Sequence, residues 1–91
     1  MAWFVYMIRT AAGTLYTGIT TDVQRRFNEH EQGGRLGAKY LRGKGPLQLV
    51  WQQSVPDRRV ASRLELHIKR LSAQQKRAMI ANGKMIVLDN D

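Results

Sequence analysis

Residues 3–30, WFVYMIRTAAGTLYTGITTDVQRRFNEH, decide how this chain folds. Trp3-Phe4-Val5-Tyr6-Met7-Ile8 is an apolar run long enough for a strand and too short for a typical helix. Thr10 to Thr14, with Gly13 inside, has the length and composition of a hairpin turn. Leu15 to Thr20 returns with strand formers, and Asp22 offers an N-cap carboxylate to the segment that follows. There Val23, Arg26, Phe27 and His30 recur at helical spacing and share one face. A hairpin that runs straight into a short helix thus gathers Tyr6, Tyr16, Arg26 and His30 in one local unit. Gly18 leaves a gap in the second strand, where a backbone or a ligand can approach closely.

Beyond this unit, Glu31 to Pro46 (EQGGRLGAKYLRGKGP) holds five glycines and a proline, with Arg35, Lys39, Arg42 and Lys44 and no acid after Glu31. A loop of this length inside a compact domain is uncommon and is usually functional or mobile. Freed backbone amides, basic side chains and Tyr40 suit a phosphate backbone with room for one base or sugar contact. The alternative is a solvated connector. Leu47, Leu49, Trp51 and Val55 alternate, which predicts a third strand with one apolar face and Trp51 in the core. Pro56-Asp57 stops that strand and caps a helix reaching Leu71. Its stripe of Val60, Ala61, Leu64, Ile68 and Leu71 should lie on the sheet. Ser72 with Gln75 forms a capping-box pattern that opens a third helix, and Asn82-Gly83 closes it. Met85 to Leu88 either adds an edge strand or docks on the core, and Asp89 to Asp91 should fray. The order β-β-α-β-α-α describes a small α/β (α+β) domain, a mainly antiparallel sheet covered by helices, spanning residues 1–83 with a short tail at 84–91.

Ninety-one residues suffice for one modest core. No run approaches the ~18 apolar residues of a membrane span, and no charged region precedes the first apolar run as in a secretory signal. The absence of cysteine excludes disulfides and thiolate metal sites, and two histidines, His30 and His67, argue against structural zinc. A cytoplasmic protein is expected. Fifteen Lys and Arg against seven Asp and Glu leave a net charge of +8, which favours a polyanionic partner, nucleic acid ahead of an anionic membrane surface.

Phosphate chemistry normally needs a hard cation held by carboxylate oxygen, so the seven acids are informative. Asp22 and Asp57 are explained as caps, Glu29 and Glu31 end the first helix, and Asp89 and Asp91 lie in the tail. Glu65 alone stands mid-helix beside the apolar stripe, either as a functional carboxylate or as the surface partner of Lys69 four residues on. Arg26 on the inward face can neutralise a phosphate and stabilise charge developing on it, or serve as a stacked or paired structural arginine. His30 can equally be a buried histidine bonded to backbone. Tyr6 and Tyr16 are ordinary strand tyrosines unless cations such as Arg26 and a metal depress a phenol from its usual pKa near 10.

Taken together, these residues resemble the GIY-YIG nucleases. Phe4-Val5-Tyr6 followed ten residues on by Tyr16-Thr17-Gly18 is similar to the paired motif that names the family, with Phe in place of Gly and Thr in place of Ile. Arg26 in Asp-Val-Gln-Arg-Arg, His30 one turn later and Glu65 in Arg-Leu-Glu-Leu-His-Ile-Lys-Arg extend the likeness from about Trp3 to Ile80. Gly37-Ala38-Lys39-Tyr40 and the short length look most like the small stand-alone YhbQ-type bacterial branch. Ile19 stands where excision-repair members carry a Lys, Leu41 where relatives of this type read Thr, and Asn82 is a candidate by composition for a late active-site Asn.

The resemblance implies a central three-stranded antiparallel sheet flanked by three helices. It also implies a metal-dependent endonuclease that hydrolyses DNA phosphodiester bonds, in repair or in processing of branched or damaged DNA. On that basis Glu65 ligates Mg²⁺ or Mn²⁺, Tyr6 acts as general base or orients the attacking water, and Tyr16 helps to position water or phosphate. Arg26 stabilises the pentacovalent phosphate and His30 supports the phosphate or the base. Arg35, Lys39, Tyr40, Arg42 and Lys44 are the expected nucleic-acid contacts. DNA is the expected partner, RNA a second one, and a protein partner is a possible source of specificity. The alternative is a binding module that keeps the fold with little or no hydrolysis.

Overall fold

In the computed structural model, residues 2–88 are described. Strands β1 (Trp3–Arg9) and β2 (Leu15–Thr20) form the predicted hairpin, which leads into helix α1 (Val23–Gln32). A 3₁₀ turn at Lys39–Leu41 precedes strand β3 (Gln48–Val55), and helices α2 (Arg58–Lys69) and α3 (Ala73–Asn82) complete the chain. The sheet has the order β2-β1-β3 with both pairings antiparallel. This is the three-stranded, three-helix α+β arrangement expected. Its helix ends are set locally, as their sequences predict. Asp22 accepts the Arg25 amide at 3.0 Å and Asp57 the Val60 amide at 2.9 Å, and Ser72 and Gln75 form a complete capping box. Gly33 and Gly83 end α1 and α3 in the left-handed conformation that glycine adopts without strain.

The sheet carries apolar residues on both faces. Val5, Met7, Trp51 and Val55 pack against Ala61, Leu64 and Ile68 of α2. Tyr6 and Ile8, on the opposite face, pack with Val23, Leu41 and Leu47, joined by Tyr16 and Phe27. β3 corrects the expectation of a single apolar face. Met7 pairs with Trp51 but Ile8 pairs with Leu49, so Val50 is an extra residue at a β-bulge. The bulge shifts the two-residue period, turning Leu47 and Leu49 toward α1 while Trp51 and Val55 face α2. Trp51 is buried, as its in-phase position implies.

Residues 84–88 form no strand. Ile86 and Leu88 pack on the α2-side core, and the Gln53 side chain both donates to the Ile86 carbonyl (2.8 Å) and accepts from the Ile86 amide (2.7 Å). The expected fraying of Asp89 to Asp91 lies outside the described residues. No described helix is long and apolar enough to cross a membrane.

Candidate active site

The site begins at a glycine. Tyr6 lies directly opposite Gly18 across the β1–β2 pair, and its ring folds over the space a side chain would fill. A Cβ at position 18 would lie 2.5 Å from the Tyr6 hydroxyl. The gap is thus filled from within the protein, and it brings the phenol, 1% exposed, to the edge formed by β2. Tyr6 Oη lies 2.8 Å from His30 Nε2. The other ring nitrogen, Nδ1, accepts the Ala38 backbone N–H at 3.0 Å. A backbone amide can only donate, so the neutral imidazole keeps its proton on Nε2 and donates it to Tyr6. One lone pair of the Tyr6 oxygen is therefore occupied, and its own proton is free to point elsewhere.

Three consecutive loop residues hold this arrangement. The Leu36 carbonyl accepts from the Arg26 guanidinium, and the Ala38 amide holds His30. Between them Gly37 runs so close to α1 that a Cβ there would lie 2.9 Å from the Glu29 carbonyl and 3.4 Å from His30 Cα. Leu41, fully buried on the α1 face, anchors the loop farther along. The Gly-rich segment is accordingly a docked part of the site, and the reading of it as a solvated connector does not hold for residues 36–41.

Tyr16 contacts Tyr6, His30 and Tyr40, with ring centroids 6.4, 5.6 and 6.0 Å away, and stacks on Tyr40 at 19°. Lys44 Nζ lies 3.7 Å from the Tyr40 ring centre, a cation–π contact. Arg26 is paired with Glu29 at 3.0 Å on its own helix. Glu65 reaches the same edge from α2. Its ion-pair partner Lys69, at 3.3 Å, lines one surface depression together with Tyr16 and Tyr40. The structure thus gathers Tyr6, Tyr16, Arg26, His30 and Glu65, with Tyr40 and Lys44 beside them. Arg35, Lys39 and Arg42 stand exposed on the loop, and Asn82 is exposed at the end of α3. The Ala38 amide and the Leu36 carbonyl are functional groups that sequence reasoning misses; Gly37 between them is the signal in the sequence that the loop can approach α1 closely.

The electrostatics of the protein alone set the starting state of Tyr6. The Tyr6 phenol is raised in pKa, not depressed: burial is the main cause and Tyr16 the second, while Arg26 acts in the opposite direction and Glu65 adds slightly to the rise. Tyr6 is therefore a neutral phenol near pH 7 in the protein alone. His30 is lowered from 6.5 to about 4, first by burial and then by Arg26. Protonation would also force Nδ1 to abandon the Ala38 amide. Between pH 6.5 and 4 the unfolded chain takes up a proton that folded His30 refuses, so acidification destabilises the fold over that window. The shift corresponds to a loss of order 3 kcal/mol. Thermal melts from pH 7 to 4 should show wild type losing about that much more stability than His30→Gln; equal losses would mean that His30 titrates as in a free peptide.

For a metal, the donors among the described residues are sparse, with no group of three or more His, Asp or Glu side chains placed to share an ion. Glu65, with 23% of its side chain exposed and an exposed lysine as its partner, is the available hard oxygen donor. One carboxylate fits Mg²⁺ or Mn²⁺ as a site that water and substrate phosphate complete, the usual mode for Mg²⁺ at phosphates.

The chain is similar to known proteins. The GIY-YIG catalytic domain family matches residues 2–78. UPF0213 protein SG0387 of Sodalis glossinidius is 57% identical over 79 residues, covering 87% of this chain and 72% of that protein. UPF0213 protein YhbQ of Escherichia coli K12 is 53% identical over 81 residues, covering 89% and 79%. The solution NMR structure of UPF0213 protein BH0048 from Bacillus halodurans superposes with a TM-score of 0.58 at 40% identity, covering 90% of this chain and 85% of that one.

Proposed function

The chain belongs to the GIY-YIG family of nucleases, and we propose that it is a metal-dependent endonuclease hydrolysing DNA phosphodiester bonds, in repair or in processing of branched or damaged DNA. The observation that supports this reading is the convergence at one sheet edge of Tyr6, Tyr16, His30 and Arg26 with a partly buried carboxylate, Glu65, from another helix. A pure binding surface has no physical need of an inward acid among cations.

Each residue has a part in that reaction. Arg26, whose guanidinium is held by Glu29 and the Leu36 carbonyl, faces the phenol and supplies positive charge where the phosphate becomes pentacovalent. His30 Nε2–H donates to the Tyr6 oxygen, so His30 orients the phenol toward an attacking water and takes no proton from it. Accepting the water's proton requires an ionised Tyr6, which burial opposes and Arg26 favours. Tyr16 positions water or phosphate, and Tyr40 with Lys44 offers a stacking surface and a cation to the adjoining nucleotide. Bound Mg²⁺ or Mn²⁺ supplies Lewis-acid stabilisation of the phosphate charge.

One observation favours a second reading, a nucleic-acid-binding module that retains the fold: the phenol assigned as base is held neutral. The two separate in one experiment. Wild-type protein is incubated with single-stranded, duplex, nicked and branched DNA, with RNA alongside, in Mg²⁺, Mn²⁺ or EDTA. Cleavage that EDTA abolishes and added metal restores is expected. Binding without metal-dependent cleavage of any substrate would overturn the nuclease and leave the binding module.

A further inference from the structure

The geometry points to a second nucleic-acid contact surface: a groove between the β1–β2 hairpin and α3 that carries the strand flanking the scissile phosphate. Three depressions adjoin along this side of the molecule. The first lies against Arg9 and Arg77, the second against Lys76 and Arg77, and the third against Lys69, Lys76, Tyr16 and Tyr40. Leu15 lines all three, so they form one continuous track rather than separate dimples. The track ends at the candidate active site, because Tyr16 stacks on Tyr40 and meets His30 edge-on, and Lys69 is the ion-pair partner of Glu65.

Its chemistry is one-sided. The lining holds four cations, Arg9, Lys69, Lys76 and Arg77, and no acid. Among the described residues, Arg9, Lys76 and Arg77 form no ion pair. Glu29 of α1 and Glu65 of α2 engage Arg26 and Lys69 instead. Cations spaced along a groove that opens onto a phosphate-handling site fit successive phosphates of one strand, read by charge and not by base identity. Leu15 and the small residues Ala12, Gly13 and Ala73 keep the floor low enough for a backbone to approach. The groove shares Tyr40 with the Gly-rich loop at its site end and otherwise runs along the hairpin and α3. The inference rests on the nuclease reading and deepens it by giving the substrate a direction across the molecule.

The test measures salt dependence. A fluorescently labelled forked DNA is titrated with protein in EDTA, which keeps the substrate intact, at NaCl concentrations from about 50 to 200 mM. Lys76→Ala with Arg77→Ala on α3 should lower the slope of log Kd against log salt by about two units, one per phosphate contact, and weaken binding to all DNA sequences alike. Alanine favours the helix, so folding should persist, and melting curves check it. Arg42→Ala with Lys44→Ala is the loop comparison. An unchanged slope in the α3 variant beside a reduced slope in the loop variant would overturn the groove and leave the nuclease reading standing. A wild type with no salt-dependent affinity for DNA or RNA would overturn both.

Discussion

Glu65→Gln is expected to lower DNA cleavage by about 10³-fold or more while folding and DNA binding persist. The substitution keeps shape and polarity and removes one negative charge. Glu65 is paired across one helical turn with the exposed Lys69, a contact that contributes only a few tenths of a kcal/mol. The melting temperature should therefore barely move. Glu29, the other acid that meets a residue of this site, is already paired with Arg26. Loss of the carboxylate also removes a repulsive charge from a cation-rich edge, so affinity for DNA should hold or tighten. Single-turnover cleavage of the best substrate, with binding measured in EDTA, separates the effects. Cleavage at the wild-type rate would remove Glu65 from the chemistry. Loss of binding together with cleavage would make it a structural residue of the groove.

What could be read from the sequence follows the range of the interactions. The hairpin, the caps at Asp22, Asp57 and Ser72, and the helix stop at Gly83 depend on residues within a few positions of one another, and each is found as its local pattern predicts. The five proposed catalytic residues were legible as a set because family resemblance supplied their long-range relation; spacing alone left Glu65 balanced between site and surface pair. The β3 faces were misread because one extra residue at Val50 inverts the alternation, and nothing in Leu47-Gln-Leu-Val-Trp announces a bulge. The hold on His30 was invisible for a different reason. It depends on the main chain of Ala38, eight residues away, and a backbone amide has no sequence identity of its own. The sign of the Tyr6 shift likewise depends on how deeply the ring is buried, which the neighbouring cation alone does not reveal. The basic groove joins Arg9 to Lys76 and Arg77, far apart in the chain and brought together only where α3 lies along the hairpin.

Gly18→Ala should impair both stability and cleavage through a residue on the neighbouring strand. The added methyl would sit 2.5 Å from Tyr6 Oη, 2.6 Å from Cζ and 3.0 Å from Cε1, inside any permitted contact. The phenol is the end of a side chain, but it cannot swing away freely: it is 1% exposed, lies 5.9 Å from the His30 ring and is bonded to it. Either the ring tilts and His30 Nε2–H loses its buried acceptor, or β2 shifts from β1 at the Tyr6–Gly18 pair. Overpacking of this kind costs about 1–3 kcal/mol and an unpaired buried donor about the same, against at most ~1 kcal/mol returned by the stiffer unfolded chain. A net loss near 2 kcal/mol lowers the melting temperature of a domain this size by about 10 °C. Misplacing Tyr6 by about 1 Å should also reduce cleavage roughly 10²-fold. Tyr6→Phe removes the nearest clashing atom, so in the double variant the stability losses should fall short of the sum by more than about 0.5 kcal/mol. Strict additivity would mean that residue 18 acts on the strand and not on the phenol. A Gly18→Ala protein that melts and cleaves like wild type would show that the ring has room to move, and that its position over Gly18 does not hold the catalytic geometry.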